Sequence, residues 1–159
     1  MRFLAFWRAM KCNPALWLAL LCASCTDFPK DPEGTLNRIR SEGRFRVGII
    51  APLGLQKGND PELAPFLTAV GTAASARPAV ISGDAEPLLG KLKQGQLDLV
   101  IGRFEKKSPW STLVEIGPPL RSERQGKTEL LLAPVMRNGE NAWIALVEAQ
   151  ARNAGANAR

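Results

Sequence analysis

The chain has 159 residues, of which 45% are apolar and 23% charged, with a formal charge of +6 and neither His nor Tyr. This is globular composition, and it excludes a disordered chain and a multi-span membrane protein. The absence of His removes Ser-His-Asp and Cys-His catalysis, and three Cys are too few for an all-thiolate zinc site. No metal or other cofactor is therefore expected, and no catalytic constellation is visible, so the chain reads as a non-enzyme.

Arg2, Arg8 and Lys11 are the only charges before Asp27, and the apolar run from Ala15 to Ala23 follows them. Spanning a bilayer takes about 20 apolar residues, so this run is short for a span but has the length of a signal-peptide core. Ala23 and Ser24 stand directly before Cys25, which resembles a bacterial lipoprotein signal, although Cys22 occupies the position where that pattern prefers Leu. Residues 1–24 are thus expected to be a signal peptide and Cys25 the lipidated residue. The alternatives are ordinary cleavage near the same point and an uncleaved anchor. Removing residues 1–24 takes away three positive charges and no acidic ones, so +6 becomes +3. The basic balance is then largely a targeting signal, and nucleic acid is not expected as a partner. Only Cys25 remains after cleavage, which excludes an internal disulfide.

Residues 25–34 are polar, carry two Pro and read as a tether. Leu36 and Ile39 suit a short helix over Thr35 to Glu42, ended by Gly43. Phe45 to Ile50 is a predicted strand, followed by a loop rich in Pro, Gly and Asn from Ala51 to Asp60. Leu63, Phe66, Leu67 and Val70 lie at i, i+3, i+4 and i+7, an apolar helical face, with Pro65 in the first turn. Ala79 to Ile81 is a short predicted strand. Asp84 caps a helix whose buried face is Leu88, Leu89 and Leu92, and Gly95 stops it. Leu97 to Ile101 is nearly all apolar, as a central parallel strand would be. Gly102 to Trp110 reads as a charged loop, Glu129 to Ala133 as a further strand, and Asn138 as the opening of a last helix with Trp143, Leu146 and Val147 on its apolar stripe. The ordered lobe is expected over 35–153, with 154–159 a frayed tail.

Strands alternating with helices imply an α/β fold: a small, mostly parallel sheet with flanking helices. Ligands of such sheets sit at the carboxyl ends of the strands, here Ala51–Leu55, Ser82–Asp84 and Gly102–Lys107. Five residues are candidates for ligand contact on that edge: Leu53, Ser82, Arg103, Lys107 and Trp110. Three of them have a plainer reading. Arg103 suits a solvated loop face, Trp110 a lid over the core, and the Ser82-Gly83-Asp84 turn carries an acid that would repel an anion. Asp98, inside the apolar strand, reads as a structural acceptor for a backbone N–H, because a buried carboxylate must be hydrogen-bonded. Glu140 reads as helix capping at the positive end of a dipole.

Three ordered segments, GTLNRIRSEGRFRVGII (Gly34–Ile50), LLGKLKQGQLDLVIGRFEKKSPW (Leu88–Trp110) and GENAWIALVEA (Gly139–Ala149), together resemble the type 3 extracytoplasmic solute-binding proteins of ABC importers. The resemblance implies one lobe of a periplasmic-binding-protein type II fold and a periplasmic location, lipid-anchored to a membrane. It also implies a small solute, and a membrane transporter or another periplasmic protein, as partners. Two departures accompany it. The family builds a second lobe after its G-P-P-L stretch, whereas here only nine residues separate Leu120 from Leu130, near which the next strand starts, too few for a lobe. Amino-acid-binding members carry a T-x-x-R turn whose Arg grips the ligand carboxylate; the corresponding positions are Lys107 and Trp110, and APLGLQ offers no aromatic stacking residue. The sequence therefore implies a solute-binding-like lipoprotein truncated to one lobe. The alternative is a non-transport adaptor or sensor that docks a protein partner or cell-wall component on the same lobe.

Overall fold

The computed structural model describes residues 31–51, 63–106, 108–126 and 128–157. The expectations placed on Cys25, Leu53 and Lys107, and on the signal peptide, lie outside the described residues. The elements in order are α1 (Thr35–Glu42), β1 (Arg44–Ile50), α2 (Leu63–Ala74), β2 (Arg77–Gly83), α3 (Ala85–Lys93) and β3 (Leu99–Glu105). A 3₁₀ turn (Pro109–Thr112), β4 (Glu115–Ile116), β5 (Arg121–Gln125), β6 (Thr128–Met136) and α4 (Asn141–Asn157) complete them.

The strands form one six-stranded sheet in the order β2-β1-β3-β6-β4, with β5 also paired to β6. β1 runs parallel to β2 and to β3, while β6 is antiparallel to β3, β4 and β5. The sheet is therefore mixed: where a mostly parallel sheet was expected, parallel pairing is confined to β2, β1 and β3, and every pairing of β6 is antiparallel. β5 and β6 form a hairpin, which needs no crossover helix and so reverses direction within a few residues.

Alternation along the strands divides the core into two layers. Val47 and Ile49 of β1 and Leu99 and Ile101 of β3 face α2 and α4, where Phe66, Val70, Trp143 and Val147 complete one apolar cluster. Ile50, Val100 and Phe104 face the opposite way, onto Leu88, Leu89 and Leu92 of α3. Gly48 lets α3 approach: a Cβ there would lie 2.9 Å from a Leu97 methyl and 3.2 Å from one of Leu88. The result is a helix–sheet–helix sandwich in which the predicted faces of α2 and α3 are buried, including Leu63, Phe66, Leu67 and Val70, while Leu36 of α1 and Leu146 of α4 are only partly buried beside the buried Ile39, Trp143 and Val147.

Several boundaries differ from the sequence reading. β3 continues through Arg103 to Glu105, because β6 supplies hydrogen-bonding partners as far as Leu130; the expected loop from Gly102 is strand. Asp84 is the N-cap of α3, but its side chain makes no capping bond; its backbone carbonyl accepts from Leu88 N instead. The last helix opens at Asn141, after Gly139 at φ 90°, and continues to Asn157, so the tail expected over 154–159 is helical through Asn157. Burial of Ala151 and close packing of Gly155 on Pro119 hold that last turn.

Candidate functional site

Two kinds of site-like feature occupy opposite ends of the sheet. At the amino ends of the parallel strands lies a polar cleft of about 210 Å³ lined by Glu33, Thr35, Arg38, Asp98, Arg137 and Glu140, among others. Its charges are engaged with one another. Asp98 is 4% exposed and accepts from Arg46 N at 2.7 Å, Arg46 Nε at 3.1 Å, Arg46 Nη2 at 2.7 Å and Arg38 Nη2. Its own carbonyl accepts from Trp143 Nε1 at 2.7 Å. This is the structural acceptor that the sequence suggested, extended by two guanidinium groups whose positions no local pattern reveals.

Glu140 behaves differently from its sequence reading. Rather than capping its own helix, it accepts from Glu33 N (3.1 Å) and Thr35 N (3.0 Å) at the start of α1. Asp31 returns the favour across the same seam. One of its oxygens accepts from Ala142 N and Trp143 N at the start of α4, and the other from Leu36 N. Each helix start is thus capped in part by a carboxylate belonging to the other's approach, and orphan N–H groups of both first turns are satisfied. Arg137 joins the pair by contacting Glu33 at 2.6 Å and Glu140 at 3.5 Å. Burial alone would raise the Glu140 carboxyl, but the hydrogen bonds from Thr35 and Glu33 and the Arg137 charge outweigh it and hold it below the ordinary value. These partners make the cleft a clamp that ties α1 and α4 to the sheet, with little left over to bind a ligand.

The carboxyl edge is built otherwise. A pocket of about 270 Å³ is lined by Ile50, Ala85, Arg103, Phe104, Glu105, Ser108, Pro109 and Trp110. The 3₁₀ turn that carries Trp110 is started by Ser108, whose hydroxyl accepts from Trp110 N at 3.4 Å, with Pro109 setting the first φ. Trp110 packs on the α3-side core and keeps one side open, so the core-lid reading and an accessible ring coexist.

Arg103 and Trp110 border this pocket together, but from different directions. Alternation turns Phe104 toward α3 and Trp110, and turns Arg103 to the other face with Ile101. There its guanidinium pairs with Glu123 of β5: Nη2 donates to Oε1 at 3.2 Å, and Nε lies 3.2 Å from Oε2. That second contact has ion-pair distance but not hydrogen-bond alignment, which leaves Arg103 Nε as a buried side-chain nitrogen with no hydrogen-bond partner. Arg121 shares Glu123, with Nη2 2.6 Å from Oε1. Desolvation would raise the Glu123 carboxyl, but hydrogen bonds and charge from Arg103 and Arg121 prevail and lower it. The solvated loop face expected for Arg103 is therefore corrected: its side chain is only 11% exposed and belongs to a strand.

Ser82 is not brought to this pocket. It sits at the carboxyl end of β2, level with Ile49, and lines a separate apolar groove of about 710 Å³ with Leu63, Ala64, Leu67, Thr68, Pro78 and Val80. The Glu123 partner was missed by the sequence reading because RSERQ has no apolar alternation to mark it as a strand. Among the described residues, no cluster of three Cys, Asp or Glu is placed to hold a metal ion, and no helix is long and apolar enough to cross a membrane.

Comparison with solved structures identifies the architecture. The arginine-bound form of domain 1 from TmArgBP, the ArgBP of T. maritima, superposes with a TM-score of 0.61 at 12% identity, covering 73% of this chain and 97% of that one. This chain has the fold of one lobe of a type II periplasmic binding protein. An amino acid ABC transporter substrate-binding protein from Streptococcus pneumoniae bound to L-arginine gives 0.64 at 7% identity, over 78% of this chain and 93% of that one. An ancestral cationic amino acid solute binding protein gives 0.63 at 10% identity, over 77% and 94%. No family model and no curated protein matches the chain.

Proposed function

We propose that this lobe is an extracytoplasmic solute-binding module related to the substrate-binding proteins of ABC importers, held at a membrane by a lipid on Cys25. One observation carries the reading. The concave, small-solute-sized pocket beside Trp110 and Arg103 lies at the carboxyl edge of the parallel strands, where α/β sheets bind ligands. The Trp110 ring, set over the buried Phe104, offers an apolar or planar fragment its contact surface, and Glu105 offers a carboxylate at the rim. Arg103 acts from behind the strand, where it holds Glu123 and the β5–β6 hairpin in place. No catalytic role is assigned to any of these residues. The fold neighbours' arginine makes amino acids the first solutes to test.

The test is a thermal-shift screen of the chain against amino acids, polyamines, sugars, organic acids and muropeptides. A ligand at 100 times its Kd adds about 2.7 kcal/mol of stability, several degrees in Tm for a domain of this size. Trp110→Ala is expected to abolish the ligand shift; because the ring is partly buried against the α3-side core, the unliganded melt falls by several degrees, and the shift is read from that lowered baseline. A compound that shifts wild type and Trp110→Ala equally would place the solute elsewhere.

A second reading is favoured by a separate observation. Where the family departs to build its second lobe, this chain makes only the β5–β6 hairpin, Arg121–Gln125 paired to Thr128–Leu132. The same edge would then dock a protein or cell-wall partner, as an adaptor or sensor does. A cooperative melt that no compound in the panel moves, together with capture of a defined envelope partner lost in Trp110→Ala, would favour it.

A further inference from the structure

β2 is the outer strand of the sheet, and six of its seven residues are exposed. Arg77 N donates to Gly43 O, and Gly83 O accepts from Ala51 N, so odd-numbered residues turn their backbone groups toward β1. Pro78, Val80 and Ser82 consequently turn theirs outward, and among the described residues no strand pairs with that edge. An unpaired edge of this kind is a template for another strand. Val80 and Ile81 are also 46% and 42% exposed, and with Leu113 they are the exposed large apolar side chains among the described residues.

We infer that a second copy of this chain pairs with β2 in antiparallel, two-fold fashion centred on Val80. Three features argue for a copy of the chain itself. First, Val80 is the midpoint of Arg77–Gly83, so the outward set is symmetric about it. Val80 exchanges N–H and C=O with Val80 of the copy, and each Ser82 N–H meets the other Pro78 carbonyl. Pro78 has no backbone N–H, so the Ser82 carbonyl of each copy has no donor from the strand opposite and is left to water, equally at the two ends. Second, the charges are self-complementary. In this register Arg77 lies opposite Gly83 of the copy, beside Asp84 and the first turn of α3 with Glu86, all exposed. The two-fold repeats that contact with the same sign match at the other end. Third, the groove of about 710 Å³ between α2 and β2 is open on the side where the copy would lie. A two-fold axis normal to the sheet keeps faces aligned, so the copy's Val80, Pro78 and α2 supply the missing wall. Ala64 and Thr68 on α2 are small enough to leave the approach clear. Isologous pairing of this sort closes on itself and builds no filament.

The test is disulfide trapping in the full chain with its native Cys replaced by Ser. Hydrogen-bonded antiparallel partners have Cα atoms about 5.5 Å apart, inside the range a disulfide spans. Val80→Cys is therefore expected to cross-link to a covalent dimer under mild oxidation. Ile81→Cys, off the axis and on the other face, is expected to remain monomeric. In the native-sequence chain, sedimentation is expected to show a dimer that Arg77→Glu dissociates and that Arg77→Glu with Asp84→Arg and Glu86→Arg restores. A monomer at about 100 μM, equal cross-linking at both cysteine positions, or a dimer indifferent to the charge reversal would each overturn the inference. Circular dichroism on each variant separates loss of pairing from loss of fold.

Discussion

Removing the Asp98 carboxylate is the most informative single change to the scaffold. Asp98→Ala deletes an acceptor that holds the Arg46 backbone N–H, both ends of the Arg46 guanidinium and one arm of Arg38. Breaking a fully buried charge pair costs about 3–5 kcal/mol, and orphaning a buried backbone donor costs about 1–3 kcal/mol. Neither guanidinium is fully buried: the Arg46 and Arg38 side chains are 32% and 31% exposed, and water can take over part of their hydrogen bonding. The expected loss is therefore about 3 kcal/mol, near the lower end of the buried-pair range. For a domain of this size that lowers Tm by roughly 10 °C. Asp98→Asn keeps a carbonyl for Arg46 N but loses the charge, and is expected to cost about half as much. Calorimetry of wild type and both variants checks the order, and a double-mutant cycle with Arg38→Met isolates the pair term. An Asp98→Ala melt within about 2 °C of wild type would refute the view that this cluster clamps β1, β3 and α1 together.

Glu140 has its carboxyl lowered in the folded protein, so its contribution is present above the ordinary value of 4.5 and drains as pH falls from there through the lower native value. Wild type is expected to lose stability across that acid interval, and Glu140→Gln is expected to show a flatter acid limb with lower stability at pH 7. Denaturant midpoints between pH 3 and 7 measure both, and parallel acid limbs would contradict the capping role. Asp31→Ala removes caps from both α1 and α4, and is expected to cost about 2 kcal/mol, twice an ordinary N-cap. Urea titration reads it, together with faster amide exchange at Leu36 and Ala142. At Gly155 an added Cβ would lie 2.7 Å from the Pro119 carbonyl oxygen. Gly155→Ala is therefore expected to destabilise by about 1 kcal/mol net, although Ala is favoured over Gly in a helix by about that amount. A stabilised variant would show that α4 ends more loosely than its packing indicates.

What the amino-acid sequence determined by itself was everything with a local apolar period. The faces of α1, α2 and α3 were legible because Leu, Ile and Phe recur at helical spacing, and β1 and β3 because β-branched residues run together between turn residues. The Gly43 and Gly95 stops were legible too, and both take φ near +65°, where glycine carries no steric penalty. Asp98 was legible as a structural carboxylate, since burial of a charge in an apolar run demands partners. The tertiary structure decided what depends on distant residues. β5 is a strand only because β6 pairs with it, and β3 reaches Glu105 only because Leu130 lies alongside. Glu140 caps α1 across 105 positions of sequence, and Asp31 caps α4 across 111, pairings that no helical or strand period encodes. The candidate site divided in the same way. Trp110 and Arg103 lie at the carboxyl edge where topology put them, but strand alternation sends the guanidinium to Glu123 on the opposite face, and Ser82 lines a different groove. Local patterning selects which residues fold into which element, whereas charge partners and pocket membership follow from how those elements pack.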